Sequence, residues 1–197
     1  TAIDPRTLRI ISRLNSPVEV IATLDASRGV GQDVLRSVRR NGLARFVQCR
    51  MDADAGRFTL QQARNAGFGA RQCCVAAKGT CATCLNPEAH AIIRLNALQD
   101  EDIAAISLSH TVAVLAPGVT FHRGQGPYIN ARELIASGAA IALATAYGPR
   151  TNPCYSMAVT VSLACRKTGM LPSEAIAAAT INAAHALGIA PRTGSLE

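Results

Sequence analysis

Apolar, β-branched runs alternate with amphipathic helical stretches along almost the whole of this chain, and that alternation narrows the folds open to it. Strands separated by helices pair in parallel and pack between helical layers. The clearest strand is Ala140–Thr145 (A-I-A-L-A-T), a continuous apolar run suited to burial on both faces. Val18–Thr23, Arg45–Cys49, Gly69–Ala76 and Thr111–Leu115 read as further strands, the last broken by Pro117-Gly118. Helical spacing runs through Pro5–Leu14, Asp33–Arg40, Phe58–Ala66, Asp100–Ser107, Asn130–Ser137 and Ser156–Thr168. Ser173, preceded by Pro172, is expected to cap a single helix Glu174–Leu187 that Gly188 stops. These are about five or six β/α units, short of the eight in a closed barrel. The expected fold is α/β, a partial or degenerate TIM-type (β/α) barrel, read as one domain over residues 1–197.

Composition fits such layers. Apolar residues make up 49% of the 197, aromatics only 4%, and Trp is absent, so Ala, Ile, Leu and Val must build the core. The net charge is +7, but no basic stripe is interleaved with aromatic residues, so a nucleic-acid partner is not expected. The surplus serves solubility or attracts a small carboxylate. The seven cysteines are an odd number in a strongly apolar chain, which favours reduced thiols and a cytoplasmic protein. No apolar run reaches membrane-spanning length.

Particular segments carry a family resemblance. Arg13–Arg28 (R-L-N-S-P-V-E-V-I-A-T-L-D-A-S-R), Gly42–Asp52 (G-L-A-R-F-V-Q-C-R-M-D), Phe58–Gln62, Leu95–Ile106, Thr111–Phe121 and Tyr128–Gly138 fall in order. Ala139–Met157 (A-A-I-A-L-A-T-A-Y-G-P-R-T-N-P-C-Y-S-M) and Ser162–Ile189 complete the series. Together they resemble the imidazolonepropionase branch of the amidohydrolase superfamily. The resemblance implies a metal-dependent (β/α) barrel and hydrolytic opening of a cyclic amide in histidine breakdown. The chain corresponds to the middle and C-terminal part of that barrel, and its final G-S-L-E is where the family runs on into a small β domain.

The family's metal site implies His-x-His on the first strand, a His on a middle strand and an Asp after the last strand, holding zinc or iron that activates water. His-x-His occurs nowhere in this chain. The middle-strand His should fall near Arg71–Cys74, where there is none, and the Asp position is Ala146. The active-site His before L-N-A-L is Arg94, and the substrate-contacting His of the G-A-H turn is Arg28. Arginine stays protonated and repels a cation. No metal ligands and no cofactor are therefore expected, and activity by this chain is in doubt.

Some polar positions survive in the resemblance. Asp52 stands for the family's Glu and is the one catalytic candidate, or else a strand-end carboxylate in a cap or surface pair. Thr151 stands for the hydroxyl residue of the substrate loop N-P-G-S, with Gly148 and Arg150 replacing its Asn and Gly. Tyr128 lies in the Y-x-x-A-R segment. Arg28, Arg94 and Arg150 either form an anion pocket for a carboxylate or are three separate surface guanidiniums. His90, His110, His122 and His185 fall on no ligand position, although His122 sits at a strand-to-loop edge.

Three readings follow. The chain is a metal-free imidazolonepropionase-like scaffold that binds a small carboxylate or imidazole-like ligand. Alternatively it is a non-catalytic subunit, a homo-oligomer or one half of a barrel completed by a partner chain. Or Cys73, Cys74, Cys81 and Cys84, spaced C-C-x6-C-x2-C with His90 beyond, form a zinc module.

Overall fold

The computed structural model describes residues 4–50, 54–73, 89–93, 95, 98–124, 126–148 and 150–195. Two compact units divide the chain, Thr1–Cys73 and Cys74–Glu197.

The first unit runs α1 (Pro5–Ile11), β1 (Thr23–Asp25), α2 (Gln32–Arg40), β2 (Phe46–Arg50), α3 (Asp54–Asn65) and β3 (Gly69–Cys73). Asp4 opens α1 by accepting from the backbone N–H groups of Arg6 and Thr7, with Pro5 in the first turn. The strands pair in parallel and in sequence order, Thr23 opposite Phe46 and Gln48 opposite Arg71. The first strand lies later than the V-E-V-I-A-T pattern places it. Val18 and Val20 are 68% and 51% exposed, and T-L-D pairs instead. Leu24, Leu35, Val38, Val47, Leu60 and Ala63 are buried, each contributing about 1.5–3 kcal/mol if it is a Val or Leu.

The second unit runs β4 (Ala91–Ile93), α4 (Asp100–Ser107), β5 (Val112–Leu115), α5 (Pro117–Arg123), α6 (Ala131–Ala136), β6 (Ile141–Leu143), α7 (Met157–Thr168), α8 (Pro172–Ala179) and α9 (Ile181–Ala186). Its strands are parallel and again in sequence order. Alternation splits their side chains between two cores. Ile92, Ala113, Leu115, Ile141 and Leu143 pack with Ile106, Leu134, Ala164, Ala175 and Ala178 from the helices. Ala91, Val112 and Ala142 face Ala186, with Val114 and Ala183 alongside. Burial on both faces is what a parallel strand between layers requires.

Three sequence expectations need correction here. Pro117-Gly118 does end β5, but Pro117 also opens α5, since proline at the first helical position has no N–H to waste. The expected helix Glu174–Leu187 is two helices, broken at Thr180, whose backbone leaves the helical region (φ −118°, ψ −93°). The start of α8 is Leu171, not Ser173: the Leu171 N–H donates to Glu174 Oε2 at 2.7 Å.

Candidate functional site

The loop leaving β6 is the most constrained irregular segment among the described residues. Ala144 continues the ladder by donating to the Leu115 carbonyl at 3.0 Å. The chain then folds onto itself. Gly148 and Asn152 form an isolated bridge, with Gly148 N–H donating to Asn152 O at 3.0 Å and Asn152 N–H donating back at 3.1 Å.

Asn152 holds this loop together and is only 3% exposed. Its Nδ2 donates to the Thr145 carbonyl at 2.7 Å, and its Oδ1 accepts from the Cys154 N–H at 3.1 Å. It also lies against α5: a Cβ on Gly118 would stand 2.5 Å from Asn152 Nδ2. Gly118 is therefore glycine because the loop approaches the first turn of α5 too closely for a side chain. Ser156 then caps α7, its Oγ accepting from the Val159 N–H at 3.3 Å.

Inside this frame the Thr151 hydroxyl donates to the Ala146 carbonyl at 2.9 Å. Arg150 is exposed, and Thr151 and Gly148 are half-buried. Ala146 is exposed and has φ +47°, the sole non-glycine positive φ among the described residues. Asn and Asp enter that left-handed region far more readily than Ala does. Tyr147 and Tyr155, 56% and 80% exposed, meet edge to face with ring centroids 6.1 Å apart. Sequence reasoning named Gly148, Arg150 and Thr151 as parts of one loop, and they lie within one turn. It missed Asn152, whose buried amide is the frame, and the tyrosine pair; the N-P dipeptide at 152–153 was the available turn signal.

The other expected positions lie elsewhere. Asp52 and Arg94 fall outside the described residues, as do Cys74, Cys81 and Cys84 of the cysteine cluster. Tyr128 is half-buried, with Lys167 Nζ 6.0 Å from its ring centroid. Arg28 is exposed in the turn after β1, in the first unit, whereas Arg150 belongs to the second. His90, His110, His122 and His185 are all exposed, His122 in the last turn of α5.

In the first unit, one face of the strands carries Thr23, Phe46, Gln48, Gly69 and Arg71 in register. Gly69 leaves the space that the Phe46 ring fills. The Arg71 guanidinium stacks 4.0 Å from that ring centroid, and its Nη1 donates to Thr23 Oγ1 at 3.2 Å. Burial lowers its pKa to about 10, so it remains a cation at neutral pH. The Cys49 thiol is fully buried and pushed up to about 12 by burial and by the Asp25 carboxylate, so it is neither a ready nucleophile nor a ready ligand.

At the described positions where the resemblance puts metal ligands, the side chains offer zinc or iron no donor group. Ala146, where the resemblance expects an aspartate, presents a methyl, and Arg71, near the position expected for a histidine, is a half-buried guanidinium within β3. Among the described residues no three His, Cys, Asp or Glu side chains come together as a metal-binding group.

The sequence model of the amidohydrolase family matches residues 73–197. Imidazolonepropionase of Symbiobacterium thermophilum is 38% identical over 163 residues, 79% of this chain and 38% of that protein. Imidazolonepropionase of Bacillus velezensis is 32% identical over 173 residues, 83% of this chain and 41% of that protein. The chain thus spans about two-fifths of the length of these curated relatives. Among solved structures, Helicobacter pylori aminofutalosine deaminase in complex with methylthio-coformycin superposes with a TM-score of 0.71 at 13% identity, over 98% of this chain and 60% of that one. A Xanthomonas campestris adenosine deaminase with bound zinc gives 0.55 at 18% identity, over 98% of this chain and 44% of its own. At such identities the likeness is one of fold.

Proposed function

The chain belongs to the amidohydrolase family as an imidazolonepropionase-like member with part of a (β/α) barrel, and from that premise we propose that it binds a small ligand without hydrolysing it. The ligand is a small carboxylate or imidazole-like molecule, held at the C-terminal ends of the strands, where such folds place their sites. The loop after β6 carries this reading. By the resemblance, Thr151 and Arg150 belong to the family's substrate loop and Ala146 offers a methyl in place of a carboxylate; the loop itself is framed by Asn152. A guanidinium at position 150 pairs with a carboxylate through two parallel N–H donors. The hydrolytic step has no derivation from these residues, because nothing among them activates water.

The test is equilibrium titration with 3-(imidazol-4-yl)propionate, beside an assay of imidazolonepropionate ring opening. Saturable binding that weakens about tenfold in Arg150→Gln, with no turnover above the uncatalysed rate, is expected. Turnover by the purified chain overturns the proposal. So does binding that Arg150→Gln leaves intact.

A second reading, as a subunit completing a barrel with another chain, is favoured by exposed apolar side chains in the first unit. Ile10, Leu14, Val18 and Val20 are all more than half exposed. Light scattering that finds a stable monomer across a wide concentration range excludes it.

A further inference from the structure

A cleft of about 550 Å³ opens on the first unit, lined by Asp33, Arg36, Ser37, Arg39, Arg40 and Ala66. It lies along α2 and the turn between α3 and β3. We propose that it is an anion site for a phosphate chain, of the kind carried by inorganic pyrophosphate or a nucleoside triphosphate.

Charge is the first argument. Residues 1–73 hold twelve arginines and no lysine against six Asp and Glu, so nearly all of the net +7 belongs to this unit. Three of those arginines line one cleft together with a single acidic residue, Asp33. Arg39 and Arg40 occupy the last turn of α2, where the helix end contributes about half a negative charge. That end satisfies part of their charge, but three guanidiniums against one carboxylate and half a charge still leave the cleft clearly positive.

Preorganisation is the second. The Arg39 guanidinium lies over the Phe68 ring, 5.7 Å from its centroid. Gly67, whose φ of +81° suits glycine, lies alongside it, with a Cβ position 3.4 Å from Arg39 Nε. The Arg36 Nη2 donates to Gln32 Oε1 at 3.0 Å, which holds that side chain along the helix. Its pairing with Asp33 is long, 3.8 Å, between side chains 70% and 98% exposed. Such a pair contributes little and yields readily to a better acceptor. Ser37 is the one uncharged polar residue in the lining.

The ligand class follows from the donors. Guanidinium forks match the paired oxygens of phosphate, and three of them suit an anion with several charges better than a single carboxylate. An open cleft makes the attraction dependent on salt.

The test is calorimetric titration of the full 197-residue chain with pyrophosphate and, separately, ATP at low ionic strength. Both are expected to bind, within about threefold of each other if the phosphate chain alone is recognised, and about tenfold more weakly at 200 mM than at 20 mM salt. ATP binding much tighter than pyrophosphate names the nucleotide as the source. The triple variant Arg36→Gln, Arg39→Gln, Arg40→Gln should lose at least about tenfold. The double variant Arg36→Gln, Arg40→Gln keeps the Arg39 packing on Phe68 and should show most of that loss. A control, Arg6→Gln, Arg9→Gln, Arg13→Gln, removes the same charge from α1 and its end. No binding, binding unchanged in the cleft variants, or an equal loss in the control overturns the proposal.

Discussion

Ala146 carries the cost of a position its side chain does not suit. Its φ of +47° places a Cβ against the following carbonyl, a strain of roughly 1–2 kcal/mol for an L-residue. The backbone is held there by Thr151, which donates to its carbonyl, and by the Gly148–Asn152 bridge. Glycine escapes the strain but gives up more freedom on folding, about 0.5–1 kcal/mol. Ala146→Gly should therefore stabilise the fold by about 0.5 kcal/mol in urea denaturation, a net of those two effects. A loss of stability would mean that this turn is not left-handed. Sequence reasoning identified Ala146 through the aspartate it replaces, but the strain itself was not legible. Nothing in A-T-A-Y-G distinguishes a left-handed alanine from an extended one until the Asn152 amide is seen to close the loop. Arg71 was likewise legible only as a residue near a missing histidine. Its stacking on Phe46 depends on Gly69 lying opposite Phe46, which is a matter of strand register.

At the scale of elements, an ion pair joins α6 to α8 in the second unit. Arg132 Nη2 lies 2.6 Å from Glu174 Oε2, and the same oxygen accepts from the Leu171 N–H. Hydrogen bonds from Arg132 and Leu171 hold the Glu174 carboxyl below the ordinary carboxylate range. A carboxyl with a lowered folded pKa stabilises the protein above its unfolded value, and that contribution disappears as pH falls through the folded one. Thermal unfolding followed through the acid limb should therefore show Glu174→Gln less stable than the parent at neutral pH, with the difference closing as pH falls. A difference independent of pH would assign the effect to packing. The helices and strands flanked by Gly and Pro were legible, because those residues mark ends by their backbone demands: Gly169, at φ +78°, stops α7 as expected. The break at Thr180 was not, since A-A-A-T-I-N-A-A keeps a helical composition through it. The Thr180 hydroxyl donates to the Ile176 carbonyl at 2.7 Å, a bond that the pattern of apolar residues cannot encode. β4, only three residues long, was also missed, for it follows a stretch with no clear periodicity.

For the molecule as a whole, alternation of strands and helices was enough to reach the fold class, because parallel β/α order depends on hydrophobic pattern more than on particular side chains, while the family was legible only in particular segments such as Ala139–Met157. Chemistry depends on particular side chains, which that pattern does not fix. The central proposal is that this chain keeps an amidohydrolase scaffold whose cation-holding positions carry groups unable to hold a cation. The most direct measurement is the metal content of the purified 197-residue chain, by inductively coupled plasma mass spectrometry, after growth with added zinc and iron and removal of loosely bound ions. The proposal predicts far less than one ion per chain, and no change in thermal stability on adding either metal. One tightly held zinc or iron per chain, lost together with stability on chelation, would contradict it.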